Sequence, residues 1–151
     1  MSSALDGAVW GVDFTPDQWA AVDAAVDRQC AAMEGQPKKW FGTVSGERVQ
    51  EVLRSGAFEL ILIRGYLLAM SIDVPWWSAG DKVLYEQLLL KVDPAASNIR
   101  PVIKALIHCA TITGAAGVAA GTSLNPSDRK LARVYERFGF STAAHSLYLE
   151  I

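Results

Sequence analysis

The chain has 151 residues, 51% of them hydrophobic and 20% charged, with a formal net charge of −2. That length and apolar content fit one folded domain with a sizeable core and exclude a disordered chain. The small net charge gives no global basic footprint for nucleic acid, and the apolar runs at 58–63, 66–70 and 105–120 are too short or too interrupted for the ~18–20 residues of a membrane span. No basic stretch followed by an apolar one opens the sequence, so a cytoplasmic protein is expected. Cys30 and Cys109 both fall within apolar helical patterns and read as free thiols in a reducing compartment.

In chain order, Ala8 to Phe14 reads as a short first strand. Thr15-Pro16-Asp17-Gln18 is a helix start, with a Thr cap, a Pro at the first helical position and a Gln placed to complete a capping box. Trp19, Val22, Val26, Cys30 and Met33 follow at helical spacing, and Gly35 closes the helix. Residues 36–42 read as a loop. Its two lysines and two aromatics either line a ligand entrance or form a solvated connection with the rings tucked onto the core, the second being the commoner arrangement. Ser45 caps a second helix, with Val49, Val52 and Leu53 facing inward and Gly56 at its end.

Residues 58–63, 66–74 and 83–92 are three apolar strands. Arg64-Gly65 makes the first turn and residues 75–81 the second, so 58–92 forms an antiparallel meander. Trp76 and Trp77 in the second turn read as an aromatic wall, a partner surface or a hydrophobic plug under the sheet. Ser97 or Asn98 caps a third helix whose stripe is Ile99, Val102, Ile103, Leu106, Ile107 and Ala110, with Pro101 in its tolerant first turn and Gly114 at its end. Residues 115–122 are a small-residue strand expected to be central and buried.

Asn125 to Phe140 predicts a fourth helix and its stop. Asn125 or Ser127 caps it, Pro126 suits the first turn, and Asp128 complements the positive end of the dipole. Leu131, Val134, Tyr135 and Phe138 form one buried stripe, and Gly139 supplies the left-handed stop. Arg129, Arg133 and Arg137, with Lys130, give the helix a basic face, which is most often simply solvated. A final strand is expected around 144–151. His108 and His145 share no metal-ligand spacing with the cysteines, so no metal is expected. The sum is a mixed α/β sheet with one βαβ-like crossover.

Val92-Asp93-Pro94, where a strand runs into a helix, and Val134-Tyr135-Glu136-Arg137-Phe138-Gly139-Phe140, at the end of the fourth helix, resemble the GNAT superfamily of acyl-CoA-dependent N-acyltransferases. The resemblance covers residues 58–151 and leaves 1–57 as the N-terminal helical part of a single domain. It implies a GNAT-like mixed, mostly antiparallel twisted sheet flanked by about four helices. It also implies acetyl-CoA as cosubstrate and direct attack by a small-molecule or protein amine. In the family, a Tyr at the place of Tyr135 protonates the departing thiolate, which a hydroxyl of pKa ~10 can do. A carboxylate on the strand before the cofactor helix, or a water it relays, takes the amine proton. Glu86 stands there, and Asp73 on the neighbouring strand is a second candidate. Backbone amides of 84–92, with Leu90 and Val92 among them, would polarise the thioester carbonyl.

The phosphate cradle departs from the family. Its Gln/Arg-x-x-Gly-x-Gly/Ala pattern should fall across 97–102, where the chain has Ser97-Asn98-Ile99-Arg100-Pro101-Val102 and no glycine. Glycine lets backbone N–H groups approach the pyrophosphate closely. Ser97, Asn98, Arg100 and the helix dipole are the contacts that remain. The residue seven before Tyr135, often a cofactor-touching Asn in the family, is Asp128, and Asn125 or Ser127 would take over its contact. The Pro75-Trp76-Trp77 turn resembles small acetyltransferase-like proteins encoded by phages and prophages, which implies the host cytoplasm or a virion. Two alternatives follow: a GNAT-fold binding or structural component of a phage particle, and a phage enzyme that modifies nucleobases. The short stretch after Phe140 has room for one strand and a stub where the family places a hairpin. The acceptor side is therefore expected to be reduced, or completed by another subunit.

Overall fold

In a computed structural model, which describes residues 3–122, 125 and 128–151 (Lys39 by its backbone alone), the chain forms a five-stranded sheet. Its strands are β1 (Val9–Trp10), β2 (Glu59–Ile63), β3 (Tyr66–Asp73), β4 (Val83–Lys91) and β5 (Gly117–Ala119), adjacent in that order. Every pairing is antiparallel except β4 with β5. The helices are α1 (Pro16–Met33), α2 (Gly46–Arg54), α3 (Arg100–Ile112) and α4 (Asp128–Arg137), and α3 makes the crossover between the parallel strands. The architecture is thus the mixed, mostly antiparallel one expected.

Local chemistry sets most boundaries. The capping box at α1 is complete: the Gln18 N–H donates to Thr15 Oγ1 at 3.2 Å and the Thr15 N–H to Gln18 Oε1 at 2.9 Å. At α2 the Arg48 N–H donates to Ser45 Oγ at 3.2 Å. Arg64 and Gly65 take φ values of 52° and 82°, the paired positive angles of a type I′ turn, whose twist matches the flanking strands. The Gly65 carbonyl also accepts from the N–H groups of Val92 (2.8 Å) and Asp93 (2.9 Å), so the β2–β3 turn anchors the chain where it leaves β4.

Core packs on both faces of the sheet. Val22, Val26, Leu53, Leu60, Leu67 and Leu90 join α1 and α2 to one face. Ile61, Leu68, Leu84, Ile103, Leu106, Leu131 and Tyr135 join α3 and α4 to the other. Full burial of each such aliphatic side chain stabilises the fold by about 1.5–3 kcal/mol. In β4, Glu86 pairs with Met70 and Leu88 with Ala69, leaving Gln87 without a counterpart. This bulge shifts the side-chain alternation by one. As a result Leu84 and Leu89 share the α3 face, while Leu88 and Leu90 meet α1 and α2.

Several expectations are corrected. The first strand is two residues long, because Gly11–Asp13 turns into a 3-10 helix. Ile99, in the right-handed helical region, is the N-cap of α3 and makes no side-chain cap bond; Asn98 reaches past it to accept from the Arg100 N–H at 3.2 Å. Of residues 115–122 only Gly117–Ala119 form a strand, at the edge of the sheet and not its centre. Gly and Ala side chains give that strand little surface to bury. Three residues also offer too short a ladder to template a neighbour, and residues 141–151 are exposed without regular structure in place of the final strand. Trp76 and Trp77 are 94% and 69% exposed, so they plug nothing, and Pro75 is the buried member of that turn. Pro126 and Ser127, assigned to the start of the fourth helix, lie outside the described residues. Cys30 and Cys109 pack on opposite faces of the sheet, and both are free. Among the described residues no helix is long and apolar enough to cross a membrane.

Candidate active site

Leu131 and Tyr135, one turn apart on α4, are both buried against the sheet. Gly139 (φ 94°) ends the helix and brings the Phe140 ring back onto Tyr135, with centroids 5.0 Å apart. This packing aims the Tyr135 hydroxyl at β4, where it donates to Glu86 Oε2 at 3.3 Å. The Gly121 N–H, just beyond β5, donates to the same oxygen at 3.2 Å. The fold therefore brings together the two residues assigned base and acid from sequence.

Their electrostatics follow from burial. Desolvation pushes the Glu86 carboxyl up to about 7, against the smaller lowering effect of the Gly121 and Tyr135 hydrogen bonds. Desolvation, and then the neighbouring Glu86 carboxylate, push the Tyr135 hydroxyl up, so it stays a proton donor at neutral pH. A carboxylate with a pKa raised toward neutrality, held against a hydroxyl that keeps its proton, can take up one proton and donate another.

The strand beside them is open. β5 pairs with β4 only at Val83, Leu84 and Tyr85. From Glu86 onward the outer edge of β4 has no strand partner among the described residues. A cavity of about 150 Å³ lies there, with Glu86, Gln87, Leu89, Gly121, Asn125 and Leu131 in its walls. An unpaired strand edge presents backbone groups to any extended ligand that carries amides of its own.

The other residues assigned from sequence are less well placed. Leu90 is buried on the α1 face. Val92 is engaged at both backbone groups, its N–H on Gly65 and its carbonyl on Arg28 Nη2 at 2.8 Å. At the start of α3 the Arg100 N–H is held by Asn98, Pro101 has none, and the N–H groups of Val102 and Ile103 both go to the Ile99 carbonyl at 3.0 and 3.2 Å. The first turn of that helix thus has its donors engaged and is no glycine-type cradle. Ser97 and Arg100 are exposed beside it. Asn125 lines the Glu86 cavity, and its N–H donates to the Thr122 carbonyl at 3.0 Å. Ser127 lies outside the described residues. Asp73 is exposed at the end of β3, where it accepts from Ser71 Oγ at 3.3 Å, away from the pair.

Asp128 accepts from the Arg129 N–H at 2.8 Å and pairs with Lys38 Nζ at 2.9 Å. The Lys38 contact is the main cause that holds its carboxyl below the usual carboxylate range. Asp128 therefore serves the terminus of α4 and ties the 36–42 loop to it. In that loop Lys38 lies over the Phe41 ring (5.4 Å), Phe41 is buried, and Trp40 meets the Tyr148 ring edge-on at 5.9 Å. Two contributors escaped the sequence reading. Gly121 acts through its N–H and leaves no side-chain signal. The bulge at Gln87 has a faint one, a Glu-Gln pair inside a Leu-rich strand.

No family model matches the chain, and no curated protein matches its sequence. Solved structures do. The BH1408 protein from Bacillus halodurans, as a tetramutant, matches with a TM-score of 0.67 at 10% identity, over 95% of this chain and 99% of its own. An aminoglycoside acetyltransferase from an uncultured soil metagenomic sample matches with a TM-score of 0.57 at 14% identity, over 95% and 97%. The aminoglycoside N-acetyltransferase AAC(6')-Iy in complex with CoA gives 0.57 at 13% identity, over 95% and 93%. At such identities the likeness is one of fold. Over nearly its whole length the chain has the fold of the GNAT acetyltransferases.

Proposed function

We propose that the protein is a GNAT-fold N-acetyltransferase that moves an acetyl group from acetyl-CoA to an amine. The observation that carries this reading is the Glu86–Tyr135 pair, 3.3 Å apart beside the open edge of β4. Acetyl-CoA would supply the acyl group as a thioester. The β4 edge suits its amide-bearing arm, whereas its phosphates would meet Ser97 and Arg100 as side chains in place of a glycine cradle. Asn125 is a further polar contact at the cavity.

Glu86, partly ionised at neutral pH, accepts the proton of the acceptor nitrogen as that nitrogen forms its bond to the acyl carbon. Neutral Glu86 no longer holds the Tyr135 hydroxyl by its charge. Tyr135 then gives its proton to the sulfur as the C–S bond breaks, and recovers one from Glu86. One proton passes in total from amine to sulfur, and the pair returns to its starting state.

Calorimetric titration with acetyl-CoA should show binding, and no binding at millimolar ligand would overturn the reading. Given binding, Tyr135→Phe should lower turnover by about 10²-fold or more, the usual worth of a positioned acid, and leave acetyl-CoA affinity nearly intact. Unchanged turnover would remove Tyr135 from the mechanism. The engaged donors at α3 favour one other reading, a GNAT-fold binding or structural component without CoA chemistry, such as a phage virion protein. The displayed Trp76 and Trp77 would give such a component its partner surface. For it, the same titration stays flat.

A further inference from the structure

We infer that the acceptor is a primary amine carrying a compact apolar body, seated in the cavity between α1, α2 and β4; the inference rests on the acetyl-transfer reading. That cavity, of about 180 Å³, has Val26, Met33, Val49, Val52, Phe58 and Leu88 in its walls. It lies on the α1 face of the sheet, opposite Tyr135. Gln87 and Leu88 line both it and the Glu86 cavity. The bulge at Gln87, together with the end of the β4–β5 ladder at Tyr85, explains the sharing: among the described residues the two cavities flank one strand edge with no second strand between them.

The chemistry of the walls selects the ligand. Among the described residues lining this cavity there is no carboxylate, and Arg48 is the one charged side chain. A polycation such as an aminoglycoside or a polyamine gives up water around those ammonium groups that it sets against such apolar walls. Carboxylates or many acceptors replace that water; these walls carry two amide side chains, Gln29 and Gln87, and no carboxylate, while Asp27 and Glu34, whose charges reach Cys30, stand outside this lining. An aryl or branched alkyl group loses nothing there and gains apolar contact, and an apolar cavity of about 150 Å³ is known to hold a benzene ring. Cys30, Met33 and Val44 also line a third cavity, of about 440 Å³, under the 34–44 loop, which gives a route in from solvent. The structural neighbours named for aminoglycosides therefore share this chain's fold and not its acceptor chemistry.

The test uses 2-phenylethylamine, spermidine and an aminoglycoside with the full chain. Thiol release at saturating acetyl-CoA should give a KM for 2-phenylethylamine at least tenfold below those of the two polycations. Val52→Phe, which fills the cavity from α2, should raise that KM tenfold or more with acetyl-CoA affinity unchanged. Gln29→Glu, a near-isosteric change that adds a carboxylate to the wall, should narrow the gap by improving spermidine. Spermidine or the aminoglycoside preferred in the native chain, or a 2-phenylethylamine KM that ignores Val52→Phe, would overturn the inference. Calorimetry of 2-phenylethylamine without cofactor separates the two readings. Absent acetyl-CoA binding sinks acetyl transfer, whereas absent amine binding, or binding indifferent to Val52→Phe, sinks the acceptor assignment.

Discussion

Glu86 has a protonation behaviour that stability measurements can read directly. Burial raises its pKa from 4.5 to about 7, so between those values the folded chain holds a proton that the unfolded chain releases. The resulting stabilisation is full below 4.5 and is lost as pH rises through 7. At 1.36 kcal/mol per unit, most of a loss of about 3 kcal/mol falls between pH 5 and 8. Glu86→Gln abolishes the titration. Urea denaturation of the two proteins should therefore show the variant gaining about 2–3 kcal/mol on the native chain from pH 5 to 8. A constant difference would place Glu86 in an ordinary solvated setting. If Glu86 is the base, turnover should rise through the same pH range. Residue types made Glu86 and Tyr135 legible in the sequence: a lone acid in an apolar strand, and a Tyr on the inner stripe of a capped helix. Their hydrogen bond was not legible, because it depends on a bulge that sets which way β4 turns its side chains.

Elements whose ends are dictated by local chemistry were the readable ones. The Thr15 and Ser45 caps and the Arg64-Gly65 turn each satisfy backbone groups within a few residues, so a short window holds the whole cause. The edge strand and the tail were not readable. Whether Gly117–Ala119 or residues 144–151 form strands depends on which neighbour is present, and apolar alternation carries no such information. Gly65 allows this distinction between local and tertiary causes to be measured. It combines φ 82° with a tertiary contact, since an added Cβ would lie 2.8 Å from the Ala96 Cβ. Gly56 has a similar φ of 80° with nothing within 4 Å. Both Ala variants should pay the backbone strain, and Gly65→Ala should lose about 1–3 kcal/mol more from crowding. Equal losses in urea denaturation would mean that the turn does not seat against the loop after β4.

At the scale of the whole molecule, the sheet separates two apolar clusters. Leu60 belongs to the α1–α2 side and Ile103 to the α3–α4 side, both nearly inaccessible to solvent. The amphipathic stripes of the helices made this three-layer arrangement foreseeable. Which strand would be left open beside Glu86 was not, because that depends on how far β5 follows β4. Separation by the sheet has an energetic consequence. Leu60→Ala should cost about 2–5 kcal/mol and Ile103→Val about 0.5–1.5 kcal/mol, each through a cavity in its own layer. With no shared cluster, the double variant should lose the sum of the two within about 0.5 kcal/mol in a single urea transition of unchanged slope. A deviation above about 1 kcal/mol would show that the sheet transmits packing strain between the layers. The acetyl donor and its acceptor are proposed to meet at the open β4 edge of that same sheet, so such coupling would also let acceptor packing against α2 alter the Glu86–Tyr135 geometry. Additivity would instead make the two half-sites energetically independent, with the open β4 edge as their common boundary.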